Sequence, residues 1–198
     1  MNILFVNTFD VSPFLGGTER ITDTLCREFR KRCLCRCYLA YYEGIDSLYK
    51  KTVFDGRLCL GSRKNVALLI DYIVKKDIDV VLLQGQLGLA KGIRQAIGKK
   101  IKIIFAHHLY PGVEREDVSW SNSVLKCWKS RGLMANMLRL TAYPILKVKH
   151  LYALPLKYKD TYDYSDKVVL LSSELIQPFT AFGHIKAVSY THLRVHQT

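Results

Sequence analysis

Short runs of consecutive apolar residues alternate along the chain with longer amphipathic stretches. A short, unbroken apolar run is typical of a strand that is buried on both faces of a parallel sheet. Because parallel neighbours need a crossover connection, usually a helix, the alternation predicts βαβ units. We therefore predict an α/β fold built on a doubly wound parallel sheet. The predicted strands are 2–7, 35–43, 58–60, 79–84, 102–108 and 166–172. The predicted helices are 17–31, 65–76, 88–100 and 173–183. A further helical region is predicted within 119–159, with breaks near Pro144 and Pro155.

The 198 residues are enough to bury a core, and 49% of them are apolar, which favours a globular chain. We predict one domain over residues 1–186. Residues 187–198 continue neither a helical nor a strand pattern, and SYTHLRVHQT resembles the translation of a sequencing-adapter read-through, which predicts a non-native tail. On this interpretation the natural protein continues beyond Lys186.

No apolar run reaches the roughly 18–20 residues that a membrane-spanning helix needs. The first residues also lack the basic segment that opens a signal peptide, so we expect a cytoplasmic protein. The sequence contains six cysteines but no CxxC pair, so we expect no metal site. We interpret the cysteines as small core residues of a protein in a reducing compartment.

The net charge of +13 predicts an anionic partner: nucleic acid, anionic lipid or a phosphate-bearing substrate. Residues 124–159 hold eight Lys or Arg residues and no Asp or Glu, interleaved with large apolar residues. This pattern is typical of a peripheral segment on an anionic membrane, although an ordinary helix with a basic solvated face would look the same. No helix-turn-helix, zinc-finger or RNP pattern is present, so nucleic acid is not the expected partner.

The loop between the first predicted strand and helix reads NTFDVSPFLGGTERI, residues 7–21. Gly16 and Gly17 would leave free N–H groups at the positive end of the helix, which suits a phosphate, with Thr18 as the predicted N-cap. A tight strand-to-helix turn is the alternative. The loop contains neither G-x-G-x-x-G nor a P-loop, so it is not a standard dinucleotide or NTPase motif.

Ligands of doubly wound sheets bind beyond the carboxyl ends of the strands. In this chain those ends include the loop after Asn7, the segment that begins at Gln84, and the adjacent His107 and His108. We therefore predict the binding site among these residues.

The opening MNILFVNTFDVSPFLGGTERITDTLCREFRKR resembles the start of the retaining glycosyltransferases of family 4, which have the GT-B fold. Those chains begin with a strand, a glycine-rich loop of GG-x-x-R or GG-x-E-R type and a helix that ends in basic residues. YLAYYEG, DVVLLQGQ, KIIFAHHLYP and YDYSDKVVLLSSELIQPFTAFG follow in the order of the family, so that the resemblance covers about residues 1–183.

The resemblance implies a Rossmann-like N-terminal domain that binds the acceptor and faces a second domain absent from this chain. It implies that Gly16 and Gly17 lie against the donor diphosphate or the acceptor, with Glu19 and Arg20 completing the motif. It also implies that His107 or His108 acts as a catalytic residue facing the reacting sugar. Gln84, at a neighbouring strand end, is predicted to bind substrate.

The implied reaction transfers a glycosyl group from a nucleotide sugar to an acceptor glycan or glycolipid, with retention and without a cofactor or metal. Its nucleotide pocket would belong to the missing domain, so we expect this chain to be inactive alone. The alternative function is a nucleic-acid- or nucleotide-binding α/β module without catalytic activity.

Overall fold

The computed structural model contains two compact units, and the predicted strands and helices are divided between them. Among the described residues, unit 1 is formed by Met1–His108 and Asp160–Ser173, and unit 2 by those within Leu109–Lys159 and by 174–185. The predicted tail at 187–198 lies outside the described residues, as does almost all of 124–140. The structure describes residues 1–12, 16–33, 35–43, 53–61, 65–113, 137 and 141–185.

Unit 1 is built on a six-stranded, entirely parallel sheet in the order β3-β2-β1-β4-β5-β6. This confirms the predicted α/β, doubly wound, Rossmann-like fold. Because β1 lies between β2 and β4, the direction of winding reverses at β1 and β4, which is where sheets of this kind bind ligands. The strands are β1 (Asn2–Phe9), β2 (Arg36–Glu43), β3 (Gly56–Cys59), β4 (Val80–Gln84), β5 (Lys102–His107) and β6 (Lys167–Leu170), and the helices between them include α1 (Gly17–Cys33), α2 (Val66–Lys75) and α3 (Leu89–Ile97).

Both faces of the sheet are covered, as the continuous apolar runs require. On the α1 face, the fully buried Phe5 stacks on Phe29 of α1 and meets the edge of Phe54, with ring centroids 6.2 and 6.0 Å away. The alternate residues Leu4 and Val6 point to the other face and are also fully buried. β1 is therefore buried on both faces from Ile3 to Asn7.

Asp166 fixes β6 beside β5. Its carboxylate accepts hydrogen bonds from the Ile103 N–H, at 2.7 Å, and from the Arg94 guanidinium. Burial by itself would raise the pKa of this carboxyl, but the two hydrogen bonds and the charge of Arg94 hold the pKa below its ordinary value. The carboxylate therefore stabilises the edge of the sheet while it is ionised.

Unit 2 contains α4 (Tyr143–Tyr164) as far as Lys159, and α5 (Ile176–Phe182). Tyr158 is fully buried among the rings of Phe179 and Phe182, and its hydroxyl accepts a hydrogen bond from the Gly112 N–H at 3.1 Å. Among the helices that the structure describes, none is both long and apolar enough to cross a lipid bilayer.

The predicted break at Pro155 is wrong, because α4 continues through this residue. A proline inside a helix costs about 3 kcal/mol, since it removes a hydrogen bond and crowds the preceding turn. The burial of Leu154 and Tyr158 on either side offsets this cost. Pro144, by contrast, is the second residue of α4, where no intrahelical N–H bond is lost.

Candidate functional site

Polar residues gather where β1, β4 and β5 end. Val6 pairs with Leu83, and Gln84 pairs with Ala106, so that Asn7, Gln84 and the two histidines lie at neighbouring levels of the sheet. Asn7, Gln84 and His107 are at most 3% exposed, and His108 is half-buried. The predicted strand-end residues therefore come together at the reversal of the winding.

The two histidines lie on opposite faces of the sheet. The His107 ring stacks on Phe105, two residues earlier on the same strand, with centroids 5.7 Å apart. His108 Nε2 is instead hydrogen-bonded to Oε1 of Gln84, on the face covered by α1. On that face Asn7 Nδ2 donates to Thr22 Oγ1 of α1 at 3.2 Å. Asn7, Gln84 and His108 thus form one polar cluster, which we call the edge cluster.

Both imidazoles are neutral at pH 7. Burial, assisted by the nearby His108, lowers the pKa of His107 to about 4. Burial also lowers the pKa of His108. Because desolvation disfavours the protonated form, the edge cluster contains no positive charge of its own.

The edge cluster offers both hydrogen-bond donors and acceptors. The Gln84 amide oxygen can only accept, so His108 Nε2 carries the proton and Nδ1 of the neutral ring is an acceptor. Within the part of the chain that the structure describes, His108 Nδ1, Gln84 Nε2 and Asn7 Oδ1 are buried and have no hydrogen-bond partner. Such groups are costly to bury unless a ligand or water satisfies them. Two acceptors and an amide donor match hydroxyl groups, which both donate and accept, better than they match a phosphate.

The start of α1 lies beside this edge of the sheet. The helix begins at Gly17, one residue before the predicted cap, so the prediction of Thr18 as N-cap is wrong. Glu19 is the third helical residue and is buried, and a Cβ on Gly16 would lie 2.8 Å from Glu19 Oε2. The absence of a side chain at Gly16 therefore makes room for a carboxylate that folds back over the first turn, as in a capping box.

This carboxylate bears on the predicted phosphate site. An anion at Gly16 and Gly17 would meet the negative charge of Glu19, which already complements the positive helix end. Among the described residues, and apart from its chain neighbours and the backbone of its own helix, no atom lies within 4 Å of a Cβ built on Gly17, and Arg20 is exposed. Phosphate binding at the two glycines stays a prediction, and so do the roles of Glu19 and Arg20.

The sequence analysis does not predict that the side chains of Asn7 and Thr22 belong to the site. The sequence predicts Asn7 as the last residue of the strand 2–7, before a loop, whereas β1 continues to Phe9 and buries the Asn7 amide. A polar residue that ends an apolar run is the available signal. A second polar pair, Gln86 Nε2 donating to Thr8 Oγ1, lies at the same edge.

A double-mutant cycle tests whether Gln84 and His108 satisfy each other. Gln84→Met should lower the free energy of unfolding by about 1–3 kcal/mol, because it leaves the His108 N–H buried without an acceptor. His108→Phe should be similar, whereas the double variant should cost far less than the sum, since both partners become apolar. Urea denaturation followed by circular dichroism gives the three values. Gln95→Met, at an exposed position of α3, is the control, and additive losses at the two sites would show that the pair is not coupled.

No family model matches the chain, and no curated protein is significantly similar to it. Among solved structures, the chain is similar to UDP-GlcNAc 2-epimerase from Neisseria meningitidis bound to UDP-GlcNAc. The TM-score is 0.36 and the sequence identity 12%, over 99% of this chain and 73% of that chain. A likeness this low identifies neither a family nor a function, so the fold assignment rests on the parallel sheet itself.

Proposed function

We propose that this chain is the acceptor-side half of a glycosyltransferase that moves a sugar from a nucleotide sugar to an acceptor hydroxyl with retention. The expected setting is the cytoplasmic synthesis of surface polysaccharide or glycolipid. The observation that carries the proposal is the edge cluster, whose buried polar atoms have no partner in the described part of the chain. The ordered sequence motifs of the family support the same function.

The chemistry of the edge cluster favours a sugar over a nucleotide phosphate. Nδ1 of His108 and Oδ1 of Asn7 can each accept a hydrogen bond from a hydroxyl group, and Nε2 of Gln84 can donate a hydrogen bond to a hydroxyl oxygen. The cluster has no cation to balance a phosphate, and the nearest helix terminus already faces the carboxylate of Glu19. A neutral polyol would satisfy the three atoms without an uncompensated charge.

On this proposal His108 contacts the acceptor, and His107 acts by positioning the end of β5. Because burial lowers the pKa of His108, its imidazole is a weak base at pH 7. His108 therefore orients the acceptor hydroxyl group by a hydrogen bond to Nδ1 and does not remove the proton of that group. The donor nucleotide would bind mainly to a second domain that this chain lacks. Gly16 and Gly17 could then approach the donor diphosphate only if Glu19 moves away.

Titration of the chain followed by imidazole NMR resonances tests this function. Neutral oligosaccharides should shift the His108 ring signals, and His108→Ala should weaken that binding by about tenfold or more. UDP-, GDP- and ADP-sugars should show no turnover with this chain alone. His184→Asn, at an exposed position with positive φ that asparagine tolerates, should bind like the unaltered chain.

Two results would contradict the proposal. Binding of free nucleotide or inorganic diphosphate at His108, without binding of any saccharide, would favour the nucleotide-binding module instead. Turnover of a nucleotide sugar by this chain would show that the second domain is not needed for transfer.

A further inference from the structure

One side of α4 carries four exposed, large apolar side chains. Ile145, Val148, Tyr152 and Leu156 are 72, 53, 76 and 63% exposed. Their spacing of three, four and four residues places them along one side of the helix, over roughly 16 Å of its length. We call this set the α4 stripe.

The α4 stripe is separate from the side of the helix that packs in unit 2. Leu154 and Tyr158 are buried, at 2 and 0% exposure, and belong to that packed side. The helix is thus apolar on two sides, of which the side with Leu154 and Tyr158 is buried and the α4 stripe is exposed. A contiguous exposed apolar stripe of this size usually marks a surface that contacts a membrane or another protein.

The charges around the α4 stripe identify the kind of surface it fits. Lys147, Lys149, Lys157 and Lys159 are exposed, and no acidic residue occurs between Tyr143 and Lys159. Lys149 lies one turn beyond Ile145, and Lys159 lies three residues beyond Leu156, so both border the stripe. Tyr152 adds a ring with a polar tip, which suits the boundary between lipid tails and headgroups.

We propose that the α4 stripe lies on the surface of an anionic lipid bilayer, with α4 parallel to the membrane plane. The four apolar side chains would enter the headgroup boundary while the lysines contact anionic headgroups. A second copy of the chain is a poorer occupant, because two facing stripes would bring the like charges of Lys149 and Lys159 of both copies together. The inference concerns unit 2 alone and does not depend on sugar transfer.

Co-sedimentation with phosphatidylcholine vesicles, with and without phosphatidylglycerol, tests the proposal. The chain should partition at least about tenfold more strongly onto the anionic vesicles, and added salt should weaken this binding. The triple variant Ile145→Ser/Tyr152→Ser/Leu156→Ser should lose about tenfold or more of the binding, since it removes most of the inserted apolar surface. Lys149→Gln should weaken binding to anionic vesicles only.

Val74→Ser is the matched control, because Val74 is also an exposed apolar residue on a helix, at 67%, but lies in unit 1. It should bind vesicles like the unaltered chain. Equal binding to both vesicle types, or equal losses in the control and the triple variant, would overturn the proposal. A dimer in analytical ultracentrifugation that the triple variant abolishes, without lipid binding, would show that the stripe joins two copies instead. None of these readouts involves a sugar, so they fail or succeed separately from the proposed function.

Discussion

Replacing Phe5 with alanine is expected to lower the free energy of unfolding by about 3–5 kcal/mol. Phe5 lies in the middle of β1, is fully buried, and contacts the rings of Phe29 and Phe54. β1 is hydrogen-bonded to β2 on one side and to β4 on the other, so neighbouring strands limit how far the structure can collapse into the cavity. The loss should therefore lie near the upper part of what large-to-small substitutions cost.

Urea denaturation followed by far-ultraviolet circular dichroism measures this loss, and two variants calibrate it. Phe5→Leu retains most of the volume and should cost clearly less than Phe5→Ala. Phe9→Ala removes the same side chain from the end of the same strand, where the ring is 39% exposed, and should cost much less as well. Equal losses for Phe5→Ala and Phe9→Ala would mean that β1 does not form the centre of the α1-face core.

The sheet was predictable from sequence because burial on both faces leaves a direct signal. The runs NILFV, DVVLL and KIIFA contain almost no polar residue, and each became a central strand. Element ends were less predictable, since they depend on tertiary contacts. Thr18 has the chemistry of a cap but lies inside α1, where Glu19 folds over Gly16, and the helix ends at Cys33 rather than at residue 31.

The site was predictable only as a neighbourhood. Winding rules placed Gln84 and the histidines at one edge of the sheet, and the structure brings Gln84 and His108 into contact. Which histidine shares a face with Gln84 depends on strand register, which no local pattern reveals. The hydrogen bond between Asn7 and Thr22 likewise requires the packing of α1 on β1.

The burial of His107 makes the stability of the chain depend on pH. Its pKa is lowered from 6.5 to about 4, mainly by burial, so the unfolded chain binds this proton at a higher pH than the folded chain does. The contribution of neutral His107 to the free energy of unfolding is fully present above pH 6.5. It is lost as the pH falls from 6.5 to 4 and changes no further below that range. This difference in pKa between the folded and the unfolded chain corresponds to about 3 kcal/mol in the free energy of unfolding. The lowered pKa of His108 acts in the same direction.

Comparing the chain with His107→Gln isolates this contribution. The free energy of unfolding of the unaltered chain should fall by about 3 kcal/mol more between pH 7 and pH 4 than that of the variant, because glutamine does not titrate. Carboxylates with a lowered pKa, such as Asp166, lose their contribution only below their ordinary value of 3.8, so the two effects occupy different pH ranges. Parallel profiles for the chain and His107→Gln would mean that His107 is protonated in the folded state at pH 5, and would remove the basis for a neutral imidazole at the end of β5.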